Sequence, residues 1–486
     1  MVLLLLWSWV SGCATLNPGP RRQNFAPLFI YSEDEERKGK AVDVLGPFFT
    51  YRRDTRDEHV AFRPLFYWKT EGENYARLDY IYPMGKYERT DYKVESFFRL
   101  IYSSYRDPRE EPAQRKDRSF LLAFWGETDK GEPYGGFFPI YGHMKNRFNR
   151  DEINFFLWPV YMDSREKESR AVSLFWPFFT IYEGGGREGF RAWPLVSHVK
   201  KENDYEKTYF LWPIFHHERR YLYTDDPTEI NMVLPLYVSM TSSKRVQRSV
   251  LWPFFNYTYD EDDHYTQWDF PWPILQFAKG DDKEIYRIFP IYGRKYWEGR
   301  ERGYFLWPIY WYSKDEDDQV KDSNERFLLL SKDEVKVWKK KGGEERRIRV
   351  WPFFYYREEK EGGVFFYWPC LIPSDYEGWE RNWAPLFTLY EYRRSPQGDS
   401  ESKFLWGVYV HRENSVRHLY ELSFFFTLYT AEDLLYFSFL KGLVEFRADG
   451  PKRALLLGYV PWPIEWETPR SILEARRPLE ARGSTP

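Results

Sequence analysis

Short apolar phrases recur along this chain, separated by stretches of charged and small polar residues. The strongest copies are FLWPVY (156–161), LFWPFF (174–179), FLWPIF (210–215), VLWPFF (250–255), FLWPIY (305–310) and VWPFF (350–354). Weaker copies are GPFFTY (46–51), RPLFYW (63–68), FFPIY (137–141), VLPLY (233–237), IFPIY (288–292), APLF (384–387) and FLWGVY (404–409). Their central prolines lie about 19 residues apart. Degenerate copies at 97–102, 120–125 and 327–331 occupy the two long gaps. A constant period marks a repeat architecture whose neighbouring units share one continuous core.

The period is shorter than that of helical repeats. Aromatic and β-branched residues fill the phrases, and Gly, Asp, Glu and Lys fill the intervals, as at Glu183-Gly184-Gly185-Gly186. This predicts strand then turn, repeated. The intervals are too short for parallel crossovers. The expected fold is therefore all-β, a repetitive antiparallel meander of about 22 repeats, with few or no helices.

Alternate side chains of a strand face opposite ways. Read as one strand, residues 347–356 place Ile348, Val350, Pro352, Phe354 and Tyr356 on one face. Arg347, Arg349, Trp351, Phe353 and Tyr355 take the other. Two architectures fit. One is a set of hairpins running from proline to proline, stacked or propeller-like, because proline removes a ladder hydrogen bond in mid-strand. The other is a large up-and-down barrel, which needs strands of about 10 residues. Trp-Phe on the second face disfavours a wet lumen, and apolar groups on both faces predict a domain that dissolves once any lipid is removed. The chain divides into residues 1–12 as a signal peptide, 13–25 as a tether, 26–466 as a single β-repeat domain and 467–486 as an exposed tail. Within the domain, 435–446 and 453–460 read as a closing hairpin.

Composition sharpens this picture. The chain has 486 residues with 22 Trp, 39 Tyr and 40 Phe, too many aromatics for a disordered chain. The net charge is only −3 from evenly mixed residues, so no basic field attracts nucleic acid. Two cysteines, Cys13 and Cys370, exclude a disulfide scaffold. Cys370, between Pro369 and Leu371, reads as a buried thiol.

Residues 2–10, VLLLLWSWV, are too short to span a bilayer and fit a signal-peptide core. Val10-Ser11-Gly12-Cys13 follows. It resembles the bacterial lipobox, although no Lys or Arg precedes the apolar run. The resemblance implies cleavage before Cys13 and diacylglycerol on its sulfur. Ala14, where retained lipoproteins carry Asp, implies sorting to the outer membrane. Over residues 26–430 the chain resembles lipid-anchored bacterial proteins with tryptophan-proline β-repeats, a group that implies architecture and no activity.

No catalytic constellation is legible. The eight histidines form no HExxH pair, and there is no GxSxG elbow or phosphate-binding loop. His216 and His217 are neighbours and point to opposite faces of a strand. The acidic runs Asp260–Asp263 and Asp315–Asp318 lack the spacing and glycine of a calcium loop and read as solvated turns. The expectation is a non-enzymatic lipoprotein of the bacterial envelope, anchored at the outer membrane by lipid on Cys13, with no cofactor and no metal. It would act as a scaffold for an envelope protein, lipid or polysaccharide. An outer-membrane channel and a polysaccharide-binding or polysaccharide-acting protein are the alternatives.

Cys13→Ala should leave the protein uncleaved or free in the periplasm. Metabolic labelling with a palmitate analogue checks this, and an unlabelled wild type would end the lipoprotein reading.

Overall fold

A computed structural model describes residues 22–468 apart from 35–38, 56, 73, 91–92, 98–100, 107–114, 341, 374–375 and 460–461. Cys13 and the tail lie outside these residues. The fold is all-β: 62% of the chain is strand and 3% helix. Among the described residues there are 46 strands, from β1 (Arg22–Phe25) to β46 (Ile464–Glu467), each of four to eight residues. Every described pairing joins chain neighbours, so the sheets are open and the barrel alternative is not formed.

The repeating unit is a hairpin bent at the proline. Residues Arg150–Phe156 pair with Tyr161–Glu166 in the register Phe156↔Tyr161 and Phe155↔Met162. The turn between them is Leu157-Trp158-Pro159-Val160. A two-residue polar turn, Lys167-Glu168, leads to the next strand, Ser169–Leu174. One period of about 19 residues thus holds two short strands and two unlike turns. Among the described residues sixteen X-Pro bonds are cis, nine of them Trp-Pro.

Several sequence expectations are corrected here. The prolines do not lie in mid-strand. Pro352 sits in a turn between Glu344–Val350 and Phe354–Glu358, so the two faces drawn over residues 347–356 belong to two different strands. Proline has no N–H for the ladder, and the ladder is broken there. The tether is shorter than expected: Arg22–Phe25 is already paired with Phe29–Asp34. The phrase APLF is not a strand copy. Ala384–Phe387 forms a short helix with proline in its first turn, closed by a hydrogen bond from Thr388 Oγ1 to the Ala384 carbonyl at 2.9 Å.

The expected single domain divides into two compact units, a central one from Met84 to Gly342 and a terminal one of the residues up to Pro83 and from Gly343 onward. The central unit is a continuous meander. One face of its sheet is apolar near the proline turns. The other buries polar groups that satisfy one another: Ser173 and Thr180 hydroxyls meet at 2.9 Å, Arg191 donates to Thr180 at 2.9 Å, and Asn256 donates to Asp269 at 3.1 Å. Burial would raise the Glu218 carboxyl, yet hydrogen bonds from His216 and Arg220 and the charge of Lys207 hold it below its ordinary range.

The terminal unit joins distant stretches through polar contacts. Arg22 pairs with Glu421, both buried, and Asn24 donates to the Gly407 carbonyl at 3.0 Å. Gly407 has φ 95°, a left-handed backbone that favours glycine, and lies against Ile30. Asp79 accepts from Arg381 and Asn382 at 3.0 Å each, on or beside the helix Glu377–Asn382.

Glu421→Ala would leave Arg22 buried without its main partner, a change that costs about 3–5 kcal/mol. Denaturant melts in detergent should show the terminal unit losing its midpoint by that amount while the central meander holds. An unchanged midpoint would refute the coupling of the two stretches.

Candidate functional site: an apolar rim at the proline turns

Strands of the central unit are joined alternately by an apolar turn, most often carrying proline, and a polar turn at the opposite strand end. The proline turns follow one another along one edge of the sheet, because every strand pairs with its chain neighbours. Their side chains are apolar and exposed. Phe156, Phe175, Phe178, Phe179, Phe210, Phe215 and Phe254 are each 43–55% exposed. At about 150–250 Å² per aromatic side chain, these seven alone present roughly 530–880 Å². That already matches or exceeds the largest apolar patch of an ordinary monomer, roughly 300–600 Å². Indoles run side by side along the rim, Trp158 to Trp176 at 5.8 Å and Trp193 to Trp212 at 5.9 Å between ring centroids.

In four turns of the rim every backbone donor is bonded. In the turn 175–178, Phe175 N–H donates to the Val160 carbonyl at 2.8 Å and Trp176 N–H to the Pro159 carbonyl at 2.7 Å. Phe178 N–H closes on the Phe175 carbonyl at 2.8 Å, and Pro177 has no N–H to satisfy. Turns 157–160, 211–214 and 306–309 repeat this pattern, each bonded to the turn before it. No backbone donor of these four turns is left for water.

The conformation of the rim is also unusual. Leu157, Phe175, Leu211, Leu251 and Leu306 open their turns with φ between 45° and 49°. A left-handed backbone disfavours residues with a Cβ by roughly 1–2 kcal/mol, and Gly or Asn normally occupies it. The polar turns hold it with Asn149, Asn203, Gly184, Gly185 and Gly299, and also with Lys167, His264 and Glu298. The rim instead holds large apolar side chains out into the surroundings at a cost in conformational energy.

The apolar band is shallow. On the exposed face, β-residues step from Leu174 through Val172 to Arg170, and from Phe210 through Thr208 to Glu206. At about 3.3 Å per residue, apolar character ends roughly 7–10 Å from the turn tips.

The residues singled out from the sequence fall as follows. Cys13 lies outside the described residues. Cys370 is fully buried, with Tyr367 Oη 3.6 Å from its sulfur. His216 faces Glu218 at 3.0 Å while His217, on the other side of the strand, faces Asn231 at 2.7 Å. The acidic runs serve their turns: Asp262 pairs with Lys244 at 2.8 Å, and Asp317 accepts from Gln319 and Val320 N–H. The sequence reading missed one juxtaposition, that of His411, Glu413 and His418, whose ligand atoms all lie within 4.8 Å of one another. Its signal was present as a His-x-Glu pair, a polar turn at Asn414-Ser415, and a histidine beyond it. No protein-family model matches this chain, and no curated protein matches it.

Replacing Leu157, Leu211, Leu251 and Leu306 singly by Asn should leave the fold unharmed or raise its stability by up to about 1 kcal/mol each, because the left-handed strain is relieved. Denaturant midpoints in detergent measure this. A clear loss of stability in these variants would mean that the leucines pack the fold rather than serve a surface.

Proposed function

We propose that this protein is a non-enzymatic lipoprotein of the bacterial envelope, a β-repeat scaffold held at the outer membrane by lipid on Cys13 and by its proline-turn rim lying in the lipid interface. The observation that carries the reading is the rim: exposed apolar side chains, with every backbone donor bonded in the turns 157–160, 175–178, 211–214 and 306–309. Lipid offers no hydrogen bonds, so only saturated backbone enters it without a large cost. Water imposes no such demand on a surface turn.

The depth supports lying in the membrane rather than crossing it. A spanning strand needs about 9–11 residues, whereas these have four to eight. A band of roughly 7–10 Å matches the 5–10 Å to which interfacial elements are buried. Indoles suit that zone, with an apolar body and one polar edge. The opposite edge of each unit, rich in Lys, Asp and Glu, faces water and is the surface open to envelope partners.

The two acyl chains of a diacylglycerol on Cys13 would already anchor the protein stably, and the rim would add a second contact with the membrane.

The aqueous solubility expected from the sequence gives way in this reading, since it rested on aromatic phrases packed between sheets. The chain with Cys13→Ser should need detergent or lipid to stay dispersed, and should float with vesicles of phosphatidylethanolamine and phosphatidylglycerol. The four Leu→Asn changes combined should weaken flotation by on the order of 10²–10³-fold, at about 1 kcal/mol or slightly less per leucine. A lipid-free chain that remains monodisperse in buffer and does not float would show that the rim is not a membrane surface.

A further inference from the structure

The geometry points to a divalent transition-metal site of the zinc class on the hairpin formed by Tyr409–Glu413 and Arg417–Leu422, with His411, Glu413 and His418 as its ligands. The register puts Glu413 directly opposite His418 and His411 opposite Tyr420. His411 and Glu413 are two residues apart on one strand and therefore share a face, and His418 shares it as the cross-strand partner. Short-range geometry alone thus converges two imidazoles and one carboxylate.

The distances fit an ion. His418 Nδ1 and Glu413 Oε1 are 3.6 Å apart. Metal bonds of about 2.0–2.2 Å at tetrahedral angles separate two ligand atoms by roughly 3.3–3.5 Å. The His411 ring is held in plane by stacking on Tyr420, at 4.3 Å between centroids and 11° between planes. Its Nε2 is buried and has no hydrogen-bond partner, a condition that costs free energy unless something binds there.

The surroundings favour a cation. Outward neighbours across the flanking strands are Ser402 beside His411, Ser400 beside Glu413, Leu428 beside Tyr420 and Thr430 beside His418. None carries a charge that would compete for Glu413 or repel an ion. Two imidazoles with one carboxylate suit zinc and its first-row neighbours, whereas calcium and magnesium take oxygen ligands. Three protein ligands leave a coordination position open to water or to a group from a partner. The site lies at the polar end of its hairpin, away from the rim turn at Leu405–Gly407, so it is independent of the membrane reading.

The test is equilibrium dialysis of the full detergent-solubilised chain against Zn²⁺, with Co²⁺ absorption reporting the ligand geometry. One tightly held equivalent is expected, unaffected by excess Ca²⁺ or Mg²⁺. His411→Ala and His418→Ala should each weaken it by more than the roughly 10–100-fold that loss of an outer-shell partner costs, and Glu413→Gln should weaken it too. His216→Ala with His217→Ala, the other clustered histidines, should leave it intact. Zn²⁺ should also raise the melting temperature of the wild type and not of His411→Gln, whose fold is checked by circular dichroism. Absence of stoichiometric binding would overturn the proposal, as would binding that survives loss of both His411 and His418.

Discussion

The hydrogen bonding of each proline turn to the one before it is the constraint on which the rest of the structure depends. Proline cannot donate, so a chain that inserts it every period or so must end its ladder there. What keeps the turn in place is the neighbouring turn: Trp176 N–H on the Pro159 carbonyl, Trp212 N–H on the Pro194 carbonyl, Trp307 N–H on the Pro290 carbonyl. These bonds continue the ladder through the bend. They hold successive hairpins in step, and with the step held, every strand's register follows. A one-residue slip would exchange the two faces of a strand.

That register gives a sheet with polar groups buried among apolar ones on one face and apolar side chains exposed near the rim on the other. Ser173, Thr180, Ser197, Ser249 and Asp269 are buried on one face, while Phe156, Leu174, Phe179 and Phe210 are exposed on the other near the rim. Ser173 and Thr180 pair hydroxyl to hydroxyl, and Asn256 pairs with Asp269 as amide to carboxylate. Exposed apolar groups persist in water only at a cost, and the left-handed leucines add a second cost to the first. Lipid around the rim would remove the first cost, whereas the left-handed strain is steric and stays in any surroundings.

The terminal unit meets the same demand by different chemistry. Its N-terminal and C-terminal stretches are joined by Arg22 with Glu421 and by Asp79 with Arg381 and Asn382. Buried charges are tolerable there because each carboxylate has several donors, Glu421 receiving Asn24 as well as Arg22. The helical insertion at 377–387 exists to supply two of those donors, and it falls where the tryptophan-proline phrase is weakest.

The sequence by itself determined the strand class, the period, the antiparallel order and the chemistry of each turn, since these are local properties of short segments and their spacing. It also placed His216 and His217 on opposite faces, because adjacent strand residues diverge. What it did not contain was where each hairpin bends. WPFF reads as readily as mid-strand as it does as a turn, and only turn-to-turn hydrogen bonds decide between the two. The same limit hid the site at His411, Glu413 and His418, which depends on a cross-strand register. It hid the pairing of Arg22 with Glu421 as well, since contacts between residues so far apart in the chain are set by how the stretches fold back, and no local pattern carries that information.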